Sequence, residues 1–493
     1  MKLKVKLLDI SAEGAFVALL HIDDATILNI KPLERVYIKD GGKDITAVAD
    51  IAYSEKNVKP GEIGLFRELI EELNIKKKDS VDVKAGIEPQ SVMLIKKKLD
   101  GGKLSTKEVD EIIGDILSNS LTEVEAAYFV AASYVHGLND VETTALTKAI
   151  IEHGGKLHFN KKPILDKHCI GGVPGNRTTM LVVPIIAAAG FTIPKTSTKS
   201  ITSPAGTANT MNVLSDVEFS IKEIMSIVHR ANGCMVWGGT KGLASVDDRL
   251  IRLEKPLSLD PEGFLLSSVL AKKSVADASH VLIDIPVGKT AKVKDMKKAK
   301  RLQLKFVVLG KKLGMKVKVI ITDGSQPIGN GVGPALEARD VLLCLQNKGP
   351  SDLTEKSVYM AGQLLKMADV PNAEVKAREI LTSGLAYEKM KEIIRLQGGN
   401  PNIKPERISV GKYKFILKSK NNGKVVSIDN INISHLAKMC GAPTHKGAGL
   451  YLHKKVKDAV EVGDSLVTFY AEDKDRMAHL IHHMEEYPPL VVK

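Results

Sequence analysis

Aromatic residues are scarce: Phe, Trp and Tyr together make up 4% of the chain, and Trp237 is its one tryptophan. Cores must therefore be built from Leu, Ile, Val and Ala, and a surface of stacked aromatic rings for nucleic acid is not expected. Cysteine is equally sparse. Cys169, Cys234, Cys344 and Cys440 are widely scattered with no C-x-x-C spacing, which argues against a disulfide framework and against a cysteine-built zinc site. Long apolar runs are lacking too. Residues 180–193 carry no charge, but Pro184 and Gly190 interrupt them and the stretch is too short to span a bilayer. The start, MKLKVKLLDISAEG, is basic without a long apolar region or a small-residue cleavage site. A cytoplasmic location and no membrane partner are expected.

What is present is the composition of a globular protein: 493 residues, 44% apolar and 26% charged. That length calls for two to four domains. Lys and Arg number 71 against 58 Asp and Glu, a net charge of +13. The runs Lys76-Lys77-Lys78 and Lys96-Lys97-Lys98 are short and have no aromatics beside them, so they read as solvated surface and nucleic acid is not an expected partner.

Along the chain the texture changes three times. The first 86 residues alternate apolar and polar positions (LKVKLLDI, AFVALLHI, RVYIKD, ITAVADIAY) between turn signals, which predicts a small β-rich domain closed by a helix over 65–73. Ser105-x-x-Glu108, Thr122-x-x-Glu125 and Asn139-x-x-Glu142 then have the spacing that opens helices, with Gly137 as a stop, and predict an antiparallel helical unit within 87–155. From 156 onward apolar runs (PILDKHCI, TIPKTS, GCMVWGG, SHVLIDIPV, MKVKVIITDG) alternate with helix candidates at 180–189, 205–213, 220–231, 261–275 and 293–314. That alternation predicts an α/β domain with a mostly parallel sheet over 156–244 and 276–404. Residues 405–493 return to β-rich sequence before a last helix near 473–484.

The chemistry concentrates in Asp166-Lys167-His168-Cys169-Ile170-Gly171-Gly172-Val173-Pro174-Gly175-Asn176-Arg177-Thr178-Thr179. A strand reaches a Lys-His pair, turns through three glycines and enters a helix, so backbone amides, a helix N-terminus and Lys167 can converge on an anion. The turn has neither the G-x-x-x-x-G-K-[ST] nor the G-x-G-x-x-G pattern. A second loop, Ser197-Thr198-Lys199-Ser200-Ile201-Thr202-Ser203-Pro204-Ala205-Gly206-Thr207, offers hydroxyls and a lysine, and Ser203-Pro204 predicts a helix start. Two such loops at successive strand ends meet at the carboxyl edge of a parallel sheet and suggest two phosphates. Asp260, in Ser258-Leu259-Asp260-Pro261-Glu262, fits either a helix N-cap or a general acid; Ser268 lies on the helix that follows, and Lys292 after the turn Gly288-Lys289-Thr290.

At these residues the chain resembles the thymidine/pyrimidine-nucleoside phosphorylase family, whose signature turn reads Lys-His-Ser-Thr-Gly-Gly-Val-Gly. The likeness runs from residue 93 to the C-terminus and takes in Asp100-Gly101, Thr322-Asp323, Gly329, Arg339 and the glycine-rich 441–449. It implies that about 245–275 completes the helical domain and that 405–493 forms a C-terminal α+β part. The β-rich extension, absent from ordinary members, makes the chain most similar to the archaeal branch that converts AMP and phosphate into adenine and ribose 1,5-bisphosphate. Cys169 replaces a phosphate-binding serine, and Leu253 stands where an arginine would read a pyrimidine.

Carried over by position, the resemblance implies AMP binding by Gly172, Thr198, Lys199, Ser200, Ile201, Thr202, Ser203, Thr207, Ser268 and Lys292. It implies phosphate binding by Lys167, Thr179 and Ser197, with Thr207 shared. Asp260 and His168 compete as the acid that protonates the leaving base. Inorganic phosphate is a co-substrate, no metal or other cofactor is implied, and the assembly is a homo-oligomer of at least two copies. A pyrimidine-nucleoside phosphorylase is the alternative enzyme, and a nucleotide- or RNA-binding scaffold without turnover the alternative of another class.

Overall fold

The structure, a computed structural model, describes residues 1–12, 15–76, 79–197, 203–239, 245–254, 257 and 259–493. The chain forms two compact units, Met1–His153 with Ser245–Ser268, and Gly154–Ala244 with Val269–Lys493. Among the described residues no helix is long and apolar enough to cross a membrane.

In the first unit, β1 (Lys2–Leu7), β2 (Val17–His21), β3 (Arg35–Asp40), β4 (Lys43–Ala52), β5 (Glu62–Leu65) and β6 (Ser80–Ala85) close a barrel in the order β1-β5-β2-β4-β3-β6. The two-residue period of the sequence drives closure: Leu3 and Val5 of β1 and Val81 and Val83 of β6 point inward, while Lys2, Lys4, Ser80 and Asp82 face water. Closure leaves no strand edge exposed. Helix α1 (Ile22–Leu28), unforeseen within the β-rich reading, starts where the His21 ring accepts the Asp23 amide at 3.3 Å. Helix α2 (Arg67–Leu73) starts two residues later than expected because Leu65 still pairs in β5.

Helices α3 (Ser91–Leu99), α4 (Thr106–Leu117), α5 (Glu123–His136) and α6 (Asp140–Glu152) follow, and α4, α5 and α6 open on reciprocal capping boxes at Ser105/Glu108, Thr122/Glu125 and Asn139/Glu142. Val109, Ile112, Ile113 and Ile116 form the buried face of α4, and Gly137, at φ 69°, ends α5. Arg35 of β3 donates to Ser120 O at 2.7 Å and pairs with Glu125, which fastens the barrel to these helices. Helix Ser245–Glu254 and the first half of Glu262–Val275 complete the unit; Phe264 packs on Phe129 with ring centroids 5.7 Å apart.

In the second unit, β7 (Leu165–Cys169), α7 (Thr179–Ala188), β8 (Ile193–Ser197), α8 (Thr207–Met211), α9 (Ile221–Ala231), β9 (Gly233–Trp237), β10 (His280–Val287) and β11 (Lys316–Asp323) carry the strand–helix alternation. Strands β11-β10-β7 and β8-β9 are two parallel sheets, and the single bridge Ile164–Thr192 just ahead of β7 and β8 joins them. Helix α7 is apolar all round and buried along nearly its whole length, as a helix enclosed by protein must be. Four helices absent from the sequence reading, Pro334–Leu345, Ser351–Met367, Ala373–Thr382 and Leu385–Leu396, enlarge this core. The C-terminal part adds β12 (Gly331–Val332), β13 (Tyr413–Lys418), β14 (Gly423–Ile428), β15 (Gly449–Leu452), β16 (Ala459–Val460), β17 (Ser465–Ala471) and β18 (Leu490–Val492). They form sheets ordered β12-β15-β17-β13 and β16-β14-β18, with the last helix at Lys474–His483.

Inside the first unit, the Lys98 ammonium and Glu142 carboxylate meet at 2.8 Å, both buried, and Glu142 also accepts the amides of Leu104 (2.9 Å) and Asn139 (2.8 Å). Burial alone would raise the Glu142 pKa, but Lys98 and these amides together hold it below its ordinary value. Its contribution to stability is thus present above the unfolded pKa and lost as pH falls through the folded one. Lys98→Met, which strands the carboxylate, is expected to cost about 3–5 kcal/mol in urea unfolding at pH 7. The difference should shrink as pH falls from the ordinary glutamate value of about 4.3 towards the lower folded value at which Glu142 protonates.

Candidate active site

At the carboxyl end of its sheet in the second unit, β7 arrives with four polar side chains in a row. Alternation along the strand divides them. Lys167 and Cys169 face one way, Asp166 and His168 the other.

On the first face Lys167 is 1% exposed, and its Nζ donates to Thr178 Oγ1 at 2.6 Å and Thr179 Oγ1 at 3.1 Å, at the N-terminus of α7. Burial lowers its pKa to about 8, partly opposed by Cys169 and the Asp284 carboxylate. Asp284, on β10 opposite Cys169, is fully buried; it accepts from Thr322 Oγ1 at 2.6 Å and pairs with Lys356 at 3.0 Å. The Cys169 thiol is pushed up to about 11 by burial and by Asp284, so it remains a thiol at neutral pH, accepting from Asn176 Nδ2 at 3.3 Å.

On the other face the fully buried Asp166 binds two ammonium groups, Lys273 at 2.5 Å and Lys195 at 3.4 Å. His168 shares that face. Burial, with Lys273, Lys195, Lys272 and Lys167 adding like charge, holds its imidazole well below the ordinary range, so it is neutral at pH 7.

The glycine turn after β7 is left-handed at Gly171 (φ 90°), Gly172 (φ 86°) and Gly175 (φ 70°). A Cβ on Gly172 would lie 2.3 Å from Lys292 N, so two residues expected at the site are in backbone contact. Arg177 links this turn to the next loop: its Nη2 donates to Ala205 O at 3.1 Å and Nη1 to Thr207 Oγ1 at 3.4 Å, while Nε pairs with the buried Glu337 at 2.5 Å.

Lys167 with Thr179, and Gly172 with Lys292, are thus brought together, and Thr207 is tied to the turn through Arg177. Ser197 ends the neighbouring β8, its hydroxyl turned back to donate to Val236 O at 3.3 Å. Thr198, Lys199, Ser200, Ile201 and Thr202 lie outside the described residues. The helix start read at Ser203-Pro204 is corrected to Thr207: Ser203 Oγ donates to Ala205 O at 3.0 Å, and Gly206 is the cap, its amide bound by Asn209 Oδ1 at 3.1 Å. Asp260 and Ser268 belong to the first unit; Asp260 is exposed and precedes the helix Glu262–Val275 by two residues, so it is not its first cap.

The sequence reading missed Asp166, Lys195 and Lys273, the Asp284–Lys356 pair, and Arg177 with Glu337. A charge inside an apolar strand, Lys195 in IPKTS or Asp284 in HVLIDIPV, was the available signal. A buried lysine with donors to spare, beside amides freed by left-handed glycines and a helix N-terminus, is suited to hold an oxyanion. Among the described residues no cluster of His, Cys, Asp and Glu is arranged to hold a metal ion.

Comparison with known proteins places these features. Residues 92–154 match the glycosyl transferase family helical bundle domain, 161–387 the a/b domain of that family, and 424–489 the pyrimidine nucleoside phosphorylase C-terminal domain. The AMP phosphorylase of Thermococcus kodakarensis is 45% identical over 98% of this chain and 96% of its own. That of Pyrococcus furiosus is 44% identical over 100% and 98%, and that of Methanococcoides burtonii 40% over 100% and 97%. Among solved structures, anthranilate phosphoribosyltransferase from Thermus thermophilus has the same fold over 62% of this chain and 99% of that one, at a TM-score of 0.52 and 18% identity.

The electrostatics of β7 are open to direct measurement. The His168 imidazole resonance, identified by its disappearance in His168→Asn, is expected to keep its neutral-form shift at pH values where an unperturbed histidine has already titrated. A midpoint near 6.5 would show that the surrounding lysines do not act on it.

Proposed function

Because this chain belongs to the glycosyl transferase family of the AMP phosphorylases, we propose that it cleaves AMP with inorganic phosphate to give adenine and ribose 1,5-bisphosphate. The observation that carries the reading is the buried Lys167 held on Thr178 and Thr179 beside the glycine turn, in a chain with near-full-length likeness to those enzymes. Lys167, Thr179 and Ser197 are assigned to inorganic phosphate. Gly172, Lys292, Thr207, Ser203 and residues 198–202 are assigned to the nucleotide, with Ser268.

In the reaction a phosphate oxygen bonds to C1′ of the ribose. The bond from C1′ to the adenine nitrogen breaks, its electron pair goes to the base, and a proton ends on a ring nitrogen. Positive charge develops on the sugar as the bond lengthens, and two anions held against it stabilise that charge. Protonating the base is worth about 10²–10⁴-fold for a positioned acid. His168, kept neutral, has no imidazolium proton to give at pH 7. Asp260 is the acid that likeness of position assigns, and His168 the competing candidate. The balance of the reaction requires phosphate as co-substrate and nothing further. The reading includes a cytoplasmic enzyme of at least two copies, which light scattering reads as mass.

Base release from AMP, CMP, UMP, adenosine and thymidine, each with and without phosphate, tests the reading. Adenine from AMP only when phosphate is present is the expected outcome; thymine from thymidine with none from AMP would make the chain a nucleoside phosphorylase. Asp260→Asn is expected to lower turnover at least about tenfold while AMP still binds. Unchanged turnover would pass the acid role to His168 or water.

A further inference from the structure

The glycine turn does not stand alone. It leans on residues 324–333, which follow β11: Ile328 N donates to Pro174 O at 3.1 Å, and a Cβ on Gly175 would lie 2.3 Å from Ile328 O and 2.9 Å from Gly331 O. The seat for the anion-binding backbone is therefore another stretch of backbone, rich in glycine.

What fixes it comes from the far end of the chain. Val456 N donates to Gln326 Oε1 at 2.9 Å, Leu452 N to Asn330 O at 2.8 Å, and Gly331 and Val332 pair with Tyr451 and Leu450. Lys455 stands at the centre of this seam. Its Nζ donates to Pro327 O at 2.8 Å, to Gly329 O at 2.5 Å and to Asp352 Oδ2 at 3.1 Å, so all three protons of the ammonium are engaged. The two carbonyls are those on either side of Ile328, the residue whose amide holds Pro174. Asp352 in turn accepts Gly329 N at 3.2 Å, and Asp340 accepts Asn330 N and Gly331 N at 2.7 Å each. Two carboxylates and one ammonium thus clamp four consecutive peptide groups.

We propose that Lys455 is a positioning residue for phosphate, acting through Ile328 to hold the Gly171–Gly175 turn in its binding shape. Removing it leaves the Pro327 and Gly329 carbonyls and the Asp352 carboxylate without their shared cation. The segment then relaxes, and the turn loses the support that aims its amides. This rests on the reading of Lys167 and Thr179, which flank the turn, as the phosphate site.

The test measures KM for phosphate at saturating AMP, and phosphate affinity by calorimetry, in Lys455→Met, Lys455→Arg and Lys167→Met. Lys455→Met is expected to raise KM for phosphate about 10- to 100-fold, more than it changes kcat or the KM for AMP. Lys455→Arg, which keeps charge and donors, should recover most of the loss. If Lys455→Met does not fold, Lys455→Gln, which removes the charge but keeps a donor, is read in the same way. A folded neutral variant with phosphate constants within about twofold of the unaltered protein, well short of the misplacement effect, overturns the proposal. So does a fall in thermal stability with those constants unmoved. Lys167→Met separates the two ideas: if it leaves phosphate binding intact, the turn is not the phosphate site and the premise has failed; if it abolishes binding while Lys455→Met does not weaken it, only the role of Lys455 has failed.

Discussion

Four ammonium groups, those of Lys167, Lys195, Lys273 and Lys356, are sunk around β7 and β10, and the carboxylates facing them are two, Asp166 and Asp284. Each buried ion costs several kcal/mol that only well-placed counter-charges return. Asp166 serves two cations from opposite oxygens, and Asp284 is shared between Lys356 and the field of Lys167. The formal surplus is one positive charge on each face of β7, and the face with Lys167 is the one that carries the helix N-terminus of α7. The depressed pKa values of Lys167 and Lys273, about 8 and about 7, express the same strain from the side of the protein.

The sheet itself is arranged to carry this load. Parallel pairing sets Cys169 against Asp284 and runs Lys167 beside Leu282, so the charged ends of β7 and β10 arrive together. Helix α7 presents its N-terminal hydroxyls to Lys167 while its body is wholly apolar, so that one helix contributes both a wall of the core and part of the site. The surface lysines behave differently. On the helix Met296–Lys312 the cations Lys297, Lys298 and Lys300 are exposed, and they account for net charge rather than for chemistry.

How far the sequence discloses this depends on whether a feature is local. Capping boxes are local: a hydroxyl or amide side chain and a glutamate three residues on bind each other's backbone, and all three sites read from spacing are helix starts. The strands that carry Lys167 and end at Ser197 were equally legible. Ser203-Pro204 was misread because Gly206-x-x-Asn209 competes with it, and an amide side chain reaching a glycine amide is a weaker signal than serine before proline. The buried charges showed only as charges inside apolar strands, and their pairing was not legible. Whether Lys195 or Asp284 is a defect or a device depends on partners about 30 to 110 positions away in sequence, such as Lys273 for Asp166. The four helices from 334 to 396 escaped for a plainer reason: their stripes belong to a core shared with α7, not to any alternation with strands.

The seam between residues 324–333 and the strand pair around Lys455 also sets a schedule. A ribosome releases Gly175 about 280 residues before Lys455, which at roughly 5–20 residues per second is a wait of tens of seconds. Through that interval the sheet can pair and α7 can bury its apolar surface, yet the turn has no finished seat. The nascent chain thus acquires its scaffold well before the last contacts that seat the glycine turn.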